Sequence, residues 1–475
     1  MEMRTRALGV ALVSPLLLGA VVAFAAESQT LSDSVENGDI EEVRSLLDRG
    51  ADIAGADGTN ALMQAVHISD LELVGLLLDA GADASAKNDY GATALYVAAA
   101  DADAAVTRAL LAAGADPNAA LLSGETPLME ASRRGKSETV RLLLDSGADV
   151  DAHESVGGQN ALMWAASERH SVVAELLIAN GADVNARSSG GSTALMFGAQ
   201  QGAADTAAIL IAAGADPNDV MPGTGLTPLL IASAMGHGNV VSVLLRDGAD
   251  PNSISEEGFS SLHYAASNKE TLGMVEELLA HGADPNIRLH QARRTEFAAS
   301  GVAWEGATPL LYAAEINNLD AVKALVEGGA DPLIPTEQGT SALVLAAGGG
   351  TDLSRPRPRE ERAAAVETAK FLVEQGADVN GAGQFGWAPI HAAAYQGLND
   401  VIAYLVSEGA DPDQMDRFGQ TALSISNAVI TEGLGAAYYQ AARVFRRDTA
   451  DLLLSLGATP LEESGVVLVT QRATD

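Results

Sequence analysis

The side chains of this 475-residue chain that could do acid–base or metal chemistry are eight histidines and 63 acidic residues, and cysteine is absent. Without cysteine there can be no disulfide, thiolate zinc site, iron–sulfur cluster or cysteine nucleophile. The sequence also contains no H-E-x-x-H, G-x-S-x-G or G-x-x-x-x-G-K-[ST] motif. The histidines are scattered along the chain: His67, His153, His170, His237, His263, His281, His290 and His391. We therefore expect a protein without catalytic residues, metal site or cofactor, and not an enzyme.

The carboxylates form a pattern because the tripeptide Gly-Ala-Asp recurs along the chain. Its aspartates are Asp52, Asp83, Asp116, Asp149, Asp183, Asp216, Asp250, Asp284, Asp331, Asp378 and Asp411. Most steps between them are 31 to 34 residues, and two are 47. A degenerate copy, Gly457-Ala458-Thr459, follows after 48. Aspartate often stabilises a turn by accepting backbone N–H groups, so we expect these residues to form turns.

The excess of acidic over basic residues limits the kinds of partner that this chain is expected to bind. With 28 basic residues the formal net charge is −35. Nucleic-acid backbones and anionic membrane surfaces are bound by basic faces, so we expect neither as a partner. The sequence therefore favours a protein partner.

The first 25 residues have the pattern of a secretory signal peptide. Arg4 and Arg6 precede an apolar run from Ala7 to Val22, and Ala23-Phe24-Ala25 offers an A-x-A cleavage site. An uncleaved membrane anchor is the alternative, but the run is shorter than the roughly 20 residues that span a bilayer. We expect cleavage after Ala25, export to the periplasm or beyond, and no membrane attachment of the mature chain.

A second marker keeps phase with Gly-Ala-Asp and defines a helix–turn–helix unit. In Thr126-Pro127-Leu128 the threonine can cap a helix and the proline fits its first turn. Gly135 then breaks this helix, and a second, leucine-rich helix is predicted to end at Gly147. Similar markers begin at Thr93, Thr193, Thr227, Thr308 and Thr421, with variants at Asn60, Asn160, Ser260, Ser341 and Ala388.

These phased markers resemble the ankyrin repeat family, whose pattern includes T-P-L-H-x-A-A, a mid-unit glycine and G-A-D-x-N. The resemblance implies an all-α solenoid of about twelve helix–turn–helix units with β-turn fingers, spanning residues 26–459. The remaining segments are the signal peptide (1–25) and a C-terminal tail (460–475). It also implies a concave face, made of fingers and first helices, that binds a protein partner.

Carried over unit by unit, the variable positions of that face give candidate partner-binding residues. They are Glu130, Arg133, Arg134, Trp164, Glu168, Gln201, Tyr264, Asn268, Tyr312, Glu315 and Tyr395. Exposed tryptophan and tyrosine are typical interface anchors. The alternative is that each aromatic ring only packs against the neighbouring repeat.

The three long steps place inserts near residues 287–305, 349–362 and 427–447. The first falls in a finger, and the other two fall between the helices of a unit. The segment 355–359 alternates arginine and proline, which predicts an extended, polyproline-like conformation. Insert residues that could contact a partner are Arg293, Arg294, Arg355, Arg357, Arg359, Tyr438 and Tyr439. The alternative is that the inserts are merely tolerated at the surface.

The leading hypothesis from the sequence is an exported, non-catalytic and monomeric scaffold that binds a protein through its concave face and inserted loops. A second hypothesis is an accessory subunit of a periplasmic enzyme, or an enzyme whose activity lies in the inserts. A third is a structural protein without a fixed partner.

Overall fold

The computed structural model describes residues 30–53, 61–101, 103–290, 304–349, 359–383, 386–428 and 445–462. Contacts divide the chain into two compact units, residues 1–119 and 120–475. Each unit is a succession of short helix pairs, and its helices pack within a pair and against the neighbouring pairs. The predicted signal peptide, residues 1–25, lies outside the described residues.

Most first helices begin after an extended residue, and several of these residues cap the helix with their side chain. In the longer unit, the Thr126 and Thr227 hydroxyls accept the N–H three residues on at 3.3 Å, and the Asn160 amide does so at 3.0 Å. The first helices are Leu31–Glu36, Ala61–His67, Ala94–Asp101, Pro127–Arg133, Ala161–Ser167, Ala194–Gln201, Pro228–Met235, Ser261–Ala266, Pro309–Glu315, Ala342–Val344, Pro389–Gln396 and Ala422–Ser426. Ala342–Val344 continues into the π-helical turn Leu345–Gly349.

The second helices carry the leucine-rich core. Val140 and Leu143, for example, are fully buried between neighbouring pairs. These helices are Ile40–Asp48, Leu71–Asp79, Ala104–Ala112, Ser137–Asp145, Ser171–Ala179, Ala204–Ala212, Gly238–Arg246, Leu272–Ala280, Leu319–Glu327, Arg359–Glu374, Asn399–Ser407 and Arg447–Ser455. A 3₁₀ turn, Lys269–Thr271, precedes one of them. The glycine that follows the helix end has positive φ, as at Gly147 (87°), so the chain can turn sharply there.

The aspartates of Gly-Ala-Asp form turns, as predicted. The carboxylate of Asp250 accepts the N–H of Asn252 at 2.9 Å, and Asp183, Asp216 and Asp284 accept the N–H two residues on in the same way. This bond closes an Asx turn directly after the second helix. The recurring carboxylate is therefore committed to the backbone.

Hairpin-like fingers connect successive pairs. Antiparallel bridges join His153 to Asn160 and Ile254 to Ser260. Neighbouring fingers are linked through the backbone, for example by Ser189 N–H donating to Gly157 C=O at 2.8 Å. These bonds hold the fingers side by side, which aligns the residues that follow each finger along one face.

The first insert leaves from the tip of such a finger. Leu289 N–H donates to Ala307 C=O at 3.0 Å and Gly306 N–H donates to Leu289 C=O at 2.9 Å. In the uninterrupted finger 88–92 the corresponding two bonds join Asn88 with Ala92 and Gly91. The finger thus closes normally around the insert. Arg293 and Arg294 lie outside the described residues.

The C-terminal end of the second insert is helical and not extended as predicted. Arg359 is the first residue of the helix Arg359–Glu374, which has 16 residues where most second helices have nine. The extended, polyproline-like interpretation is therefore wrong for Arg359, which is helical. An alanine- and glutamate-rich sequence follows Pro358, and these residues favour helix once proline is passed. Arg355 and Arg357 lie outside the described residues, as do Tyr438 and Tyr439 of the third insert.

Among the residues that the structure describes, no helix is both long and apolar enough to cross a membrane.

Candidate partner-binding face

In the longer unit, successive first helices pack against one another, so the fourth residues of these helices occupy equivalent positions in successive repeats. From Pro127–Arg133 to Pro309–Glu315 these fourth residues are Glu130, Trp164, Phe197, Ile231, Tyr264 and Tyr312. We call them the fourth-position row. The sequence prediction included four of them but missed Phe197 and Ile231, although counting from the Thr-Ala/Pro-Leu marker reaches both.

The row combines partly exposed and buried side chains. Trp164, Phe197 and Tyr264 are half-buried, whereas Ile231 and Tyr312 are buried. We call one surface of the longer unit the first-helix face. It contains this row and the finger residue before each first helix. Large, partly exposed aromatic side chains on one face are typical of a protein-binding surface, the more so in a chain with only 4% aromatic residues.

Four aromatic rings form a continuous cluster on this face: Phe259, Tyr264, Trp304 and Tyr312. Phe259 stacks on Tyr264 with centroids 5.3 Å apart and an interplanar angle of 18°. Trp304 stacks on Tyr312 at 4.6 Å and 25°, and Phe259 joins the two pairs through Tyr312 at 6.0 Å. Phe259 and Trp304 were not predicted, because they come from fingers rather than from the first helices.

His263 lies beneath this aromatic cluster and has a structural role. Its ring is 5.8 Å from that of Tyr312, and its Nε2–H donates to Ala307 C=O at 3.1 Å. Its Nδ1 accepts the Ser260 N–H at 3.1 Å. Complete burial lowers the pKa of His263 to about 4, despite the bond to Ala307. The imidazole is therefore neutral near pH 7. It connects the start of its own helix, at Ser260, to the following finger, at Ala307.

A second cluster is built from four predicted residues. The carboxylate of Glu130 is buried, and it accepts from Arg134 Nε at 2.9 Å and from both Nε and Nη2 of Arg133. The Arg133 guanidinium also lies over the Trp164 ring, 5.1 Å from its centroid. Glu130 therefore orients the two arginines. Arg134 is the most exposed side chain of this cluster, and Arg133 and Trp164 are half-buried.

The remaining predicted residues differ in how far their side chains are exposed to solvent. Glu168, Gln201 and Asn268 are exposed at the ends of first helices, and Glu315 is half-buried. Tyr395 is buried, with its ring centroid 5.7 Å from that of Trp387. Burial of Tyr312 and Tyr395 agrees with the packing alternative, although their role in partner binding stays a prediction.

Arg446, near the end of the third insert, packs into the repeat array. Its Nε donates to Tyr395 C=O at 2.8 Å, and its side chain lies against Gly397. In two earlier repeats a histidine occupies this place: the Nε2 atoms of His170 and His237 lie 3.1 Å from the backbone oxygens of Arg133 and Gln200. Burial lowers the pKa of Arg446, as does the nearby charge of Arg362, while Tyr395 acts in the opposite direction. We therefore assign Arg446 a structural role.

The described residues contain no group of three or more histidine, aspartate or glutamate side chains that could hold a metal ion. The buried His391 has its Nε2 2.9 Å from Gln414 C=O and 3.1 Å from Gln420 C=O, and its Nδ1 accepts the Ala388 N–H. It repeats the role of His263 in a later finger.

Comparison with known families identifies the repeats. Models described as ankyrin repeats in three copies match residues 31–120, 103–188, 128–221, 195–288 and 361–461, and a single-repeat model matches 305–337. The unmatched stretches 289–304 and 338–360 overlap the first two predicted inserts, 287–305 and 349–362. The matched segments do not fix the number of repeats, and no curated protein matches the chain. Because the matches cover most of its length, the chain belongs to the ankyrin repeat family and is an all-helical repeat solenoid.

Proposed function

We propose that this protein is an exported, non-catalytic and monomeric scaffold that binds a protein partner through the first-helix face of its longer unit. Ankyrin repeats generally mediate protein–protein interaction, which supports the general class of function. The observation that carries the proposal is the fourth-position row, where half-buried Trp164, Phe197 and Tyr264 present aromatic surface. Amphipathic aromatic side chains with little rotamer freedom are effective anchors.

The test is capture of a stoichiometric partner from the exported fraction by the immobilised chain, followed by titration of that partner. Trp164→Ala and Tyr264→Ala should each weaken binding by about tenfold or more, the loss typical of an anchor residue. Val172→Ala is the matched control, because Val172 is 58% exposed on a second helix. Equal affinities for all three variants would rule out the first-helix face.

A deletion of residues 291–303 separates this proposal from one in which the inserts carry the activity. The deletion leaves four residues between Leu289 and Ala307, the same number as between Glu154 and Gln159 in an ordinary finger. Leu289 and Ala307 can then still close the hairpin. We expect unchanged melting temperature and partner binding, and loss of binding in a folded variant would assign the activity to this insert.

Export rests on the sequence pattern of residues 1–25. Mass spectrometry of the mature protein should find Ala26 at the N-terminus, and an intact Met1 would contradict export by cleavage.

The proposal that the protein is a monomer is tested by sedimentation, which at micromolar concentration should give the mass of a monomer.

A further inference from the structure

We infer that the middle of the first-helix face binds an amphipathic α-helix of the partner, which presents uncharged apolar side chains at intervals of seven residues. The inference rests on the proposed function and names the chemistry and the conformation of the partner segment. It starts from three successive first helices, Ala161–Ser167, Ala194–Gln201 and Pro228–Met235, which pack against one another in this order.

These three helices belong to stretches of sequence that carry no charge. Each stretch consists of the helix, its cap residue and the finger residue before the cap. We call them the uncharged stretches: 159–167, 192–201 and 226–235. They contain no aspartate, glutamate, lysine or arginine, although 19% of the residues in the chain are charged. By contrast, the second helix of each of these repeats contains one charged residue: Glu175, Asp205 or Arg246.

The uncharged stretches expose aromatic and aliphatic surface. Trp164, Phe197, Leu226 and Met235 are all half-buried, whereas Ile231 is buried. Met235 follows Ile231 by four residues, so the two lie on the same side of their helix. The other positions of these stretches that reach solvent are alanine, serine or glutamine. Aromatic residues and methionine without charges are the typical composition of the centre of a protein interface.

Charged side chains return at the border of this region. Glu130 and Arg133 belong to the preceding first helix, and the Arg133 guanidinium lies 5.1 Å from the centroid of the Trp164 ring. Glu168 is exposed directly after the helix Ala161–Ser167. An apolar centre with a polar rim is the usual arrangement of a binding surface. The apolar contact therefore extends over about three repeats, from Trp164 to Met235.

The spacing of the repeats selects a helix rather than an extended segment. Helices that pack in contact lie about 8–10 Å apart, so equivalent positions in successive first helices repeat at about this distance. Seven residues of an α-helix advance about 10.5 Å and return to nearly the same side. Side chains on one side of an extended strand recur at about 6.6 Å or 13 Å, which fits less well. A helix of about 15 residues presents three such side chains, one to each repeat.

The charge of the whole chain bears on what else could cover this region. A second copy of the chain also carries a net charge of −35, and two such copies repel each other. Sedimentation and binding to phosphatidylcholine vesicles test the other occupants. Dimerisation or vesicle binding that Phe197→Ala abolishes would assign the region to a second copy or to lipid, and would overturn the inference.

Fluorescence anisotropy with two labelled 18-residue peptides tests the inference on the full chain. The first has leucine at the a and d positions of successive heptads, with alanine or glutamine elsewhere. The second has the same composition but places leucine at alternate positions, as in a strand. The heptad peptide should bind at least about tenfold more tightly, a difference of about 1.4 kcal/mol. No binding of the heptad peptide, or equal binding of the two, would overturn the inference.

Two variants place the heptad peptide on the uncharged stretches. Phe197→Ala removes a central anchor and should weaken binding by about fivefold or more. Met235→Lys should have a similar effect, because the peptide would bury the new charge. Val172→Ala and Val172→Lys are the matched controls, since Val172 is 58% exposed on a second helix. Melting temperatures verify that each variant is folded, and equal effects at Val172 and at the two test positions would refute the assigned site.

The captured partner separates this inference from the proposed function. If Trp164→Ala weakens the partner but the heptad peptide does not bind, the first-helix face binds the partner by other chemistry and only the inference is wrong. If Trp164→Ala leaves the affinity for the partner unchanged, the proposed function fails, and the inference that rests on it fails as well.

Discussion

At the scale of single residues, asparagine side chains join successive repeats. Asn252 Nδ2 donates to Gly282 C=O at 3.0 Å, and its Oδ1 accepts the Asp284 N–H at 2.7 Å. Asn218, Asn286 and Asn380 each bridge to the following repeat in the same way. One amide thus satisfies both a donor and an acceptor of the next turn, which fixes the spacing between the two turns.

Asn252→Ala should lower the free energy of unfolding by about 1 kcal/mol, because two hydrogen bonds in a solvated turn are lost. Urea denaturation measures this change. Asn185→Ala is the matched control, since Asn185 is also exposed and follows Asp183 by two residues, yet its side chain makes no such bridge within the described structure. Equal losses in the two variants would show that the bridge adds nothing.

His263 gives the fold a pH dependence. Its pKa in the folded chain is about 4, against 6.5 for an ordinary histidine, so the unfolded state binds the proton first as the pH falls. Stability is therefore lost between pH 6.5 and 4. Between pH 7 and pH 5 the loss from this group should be about 2 kcal/mol.

The pH effect is measured by urea unfolding of wild type and His263→Gln at pH 7 and pH 5. The variant should be less stable at pH 7 but should lose less on acidification. His281→Gln, at an exposed histidine, should keep the wild-type difference. A His263→Gln variant with the wild-type pH dependence would assign the effect to other groups, among them His391, whose pKa burial also lowers.

At the scale of elements, the end of one first helix is held by the next repeat. Gly202 ends the helix Ala194–Gln201 with φ of 74°, and the His237 ring lies over it. A Cβ atom on Gly202 would come within 2.9 Å of His237 Nδ1. This glycine is required both for its backbone conformation and for the contact between repeats.

Gly202→Ala should therefore destabilise the chain by more than backbone strain alone, which costs about 1–2 kcal/mol in the left-handed region. Gly214→Ala measures the effect of backbone strain alone. Gly214 has φ of 100°, and a Cβ atom added to it would have no other atom within 4 Å. Thermal unfolding should give a larger loss for Gly202→Ala. In a His237→Ala background that excess should disappear, and its persistence would contradict the role assigned to the ring.

At the scale of the whole molecule, stability is distributed over the repeats. Within each compact unit, helices pack against their own partner and against the neighbouring pairs, so no single core holds all the repeats. Such arrays behave approximately as a sum of repeat and nearest-neighbour terms. The last pair is joined to its neighbour by Arg446 on Tyr395 and by the Thr449 hydroxyl, which donates to Asn399 Oδ1 at 2.7 Å.

Removal of the chain from Asp411 onward should lower the melting temperature and the solubility but leave the preceding repeats helical. Circular dichroism at 222 nm should fall in proportion to the helices removed. Complete loss of the helical signal at 25 °C would contradict the nearest-neighbour picture.

The sequence by itself determined the repeat, because its markers act locally. A threonine caps the helix that follows it, a glycine ends a helix, and an aspartate closes the turn two residues away, as Thr227, Gly248 and Asp250 do. These interactions span a few residues, so the order of residues is enough to predict them.

Only the tertiary structure decided which side chains meet across repeats. The ring of Phe259 reaches Tyr312, the Arg133 guanidinium lies over the ring of Trp164, and Arg446 binds the backbone of Tyr395, 51 residues away. The corresponding histidine contacts span 37 residues. Such contacts depend on how far one helix pair is displaced and rotated from the next, which is set by packing between pairs and is not encoded in the local pattern.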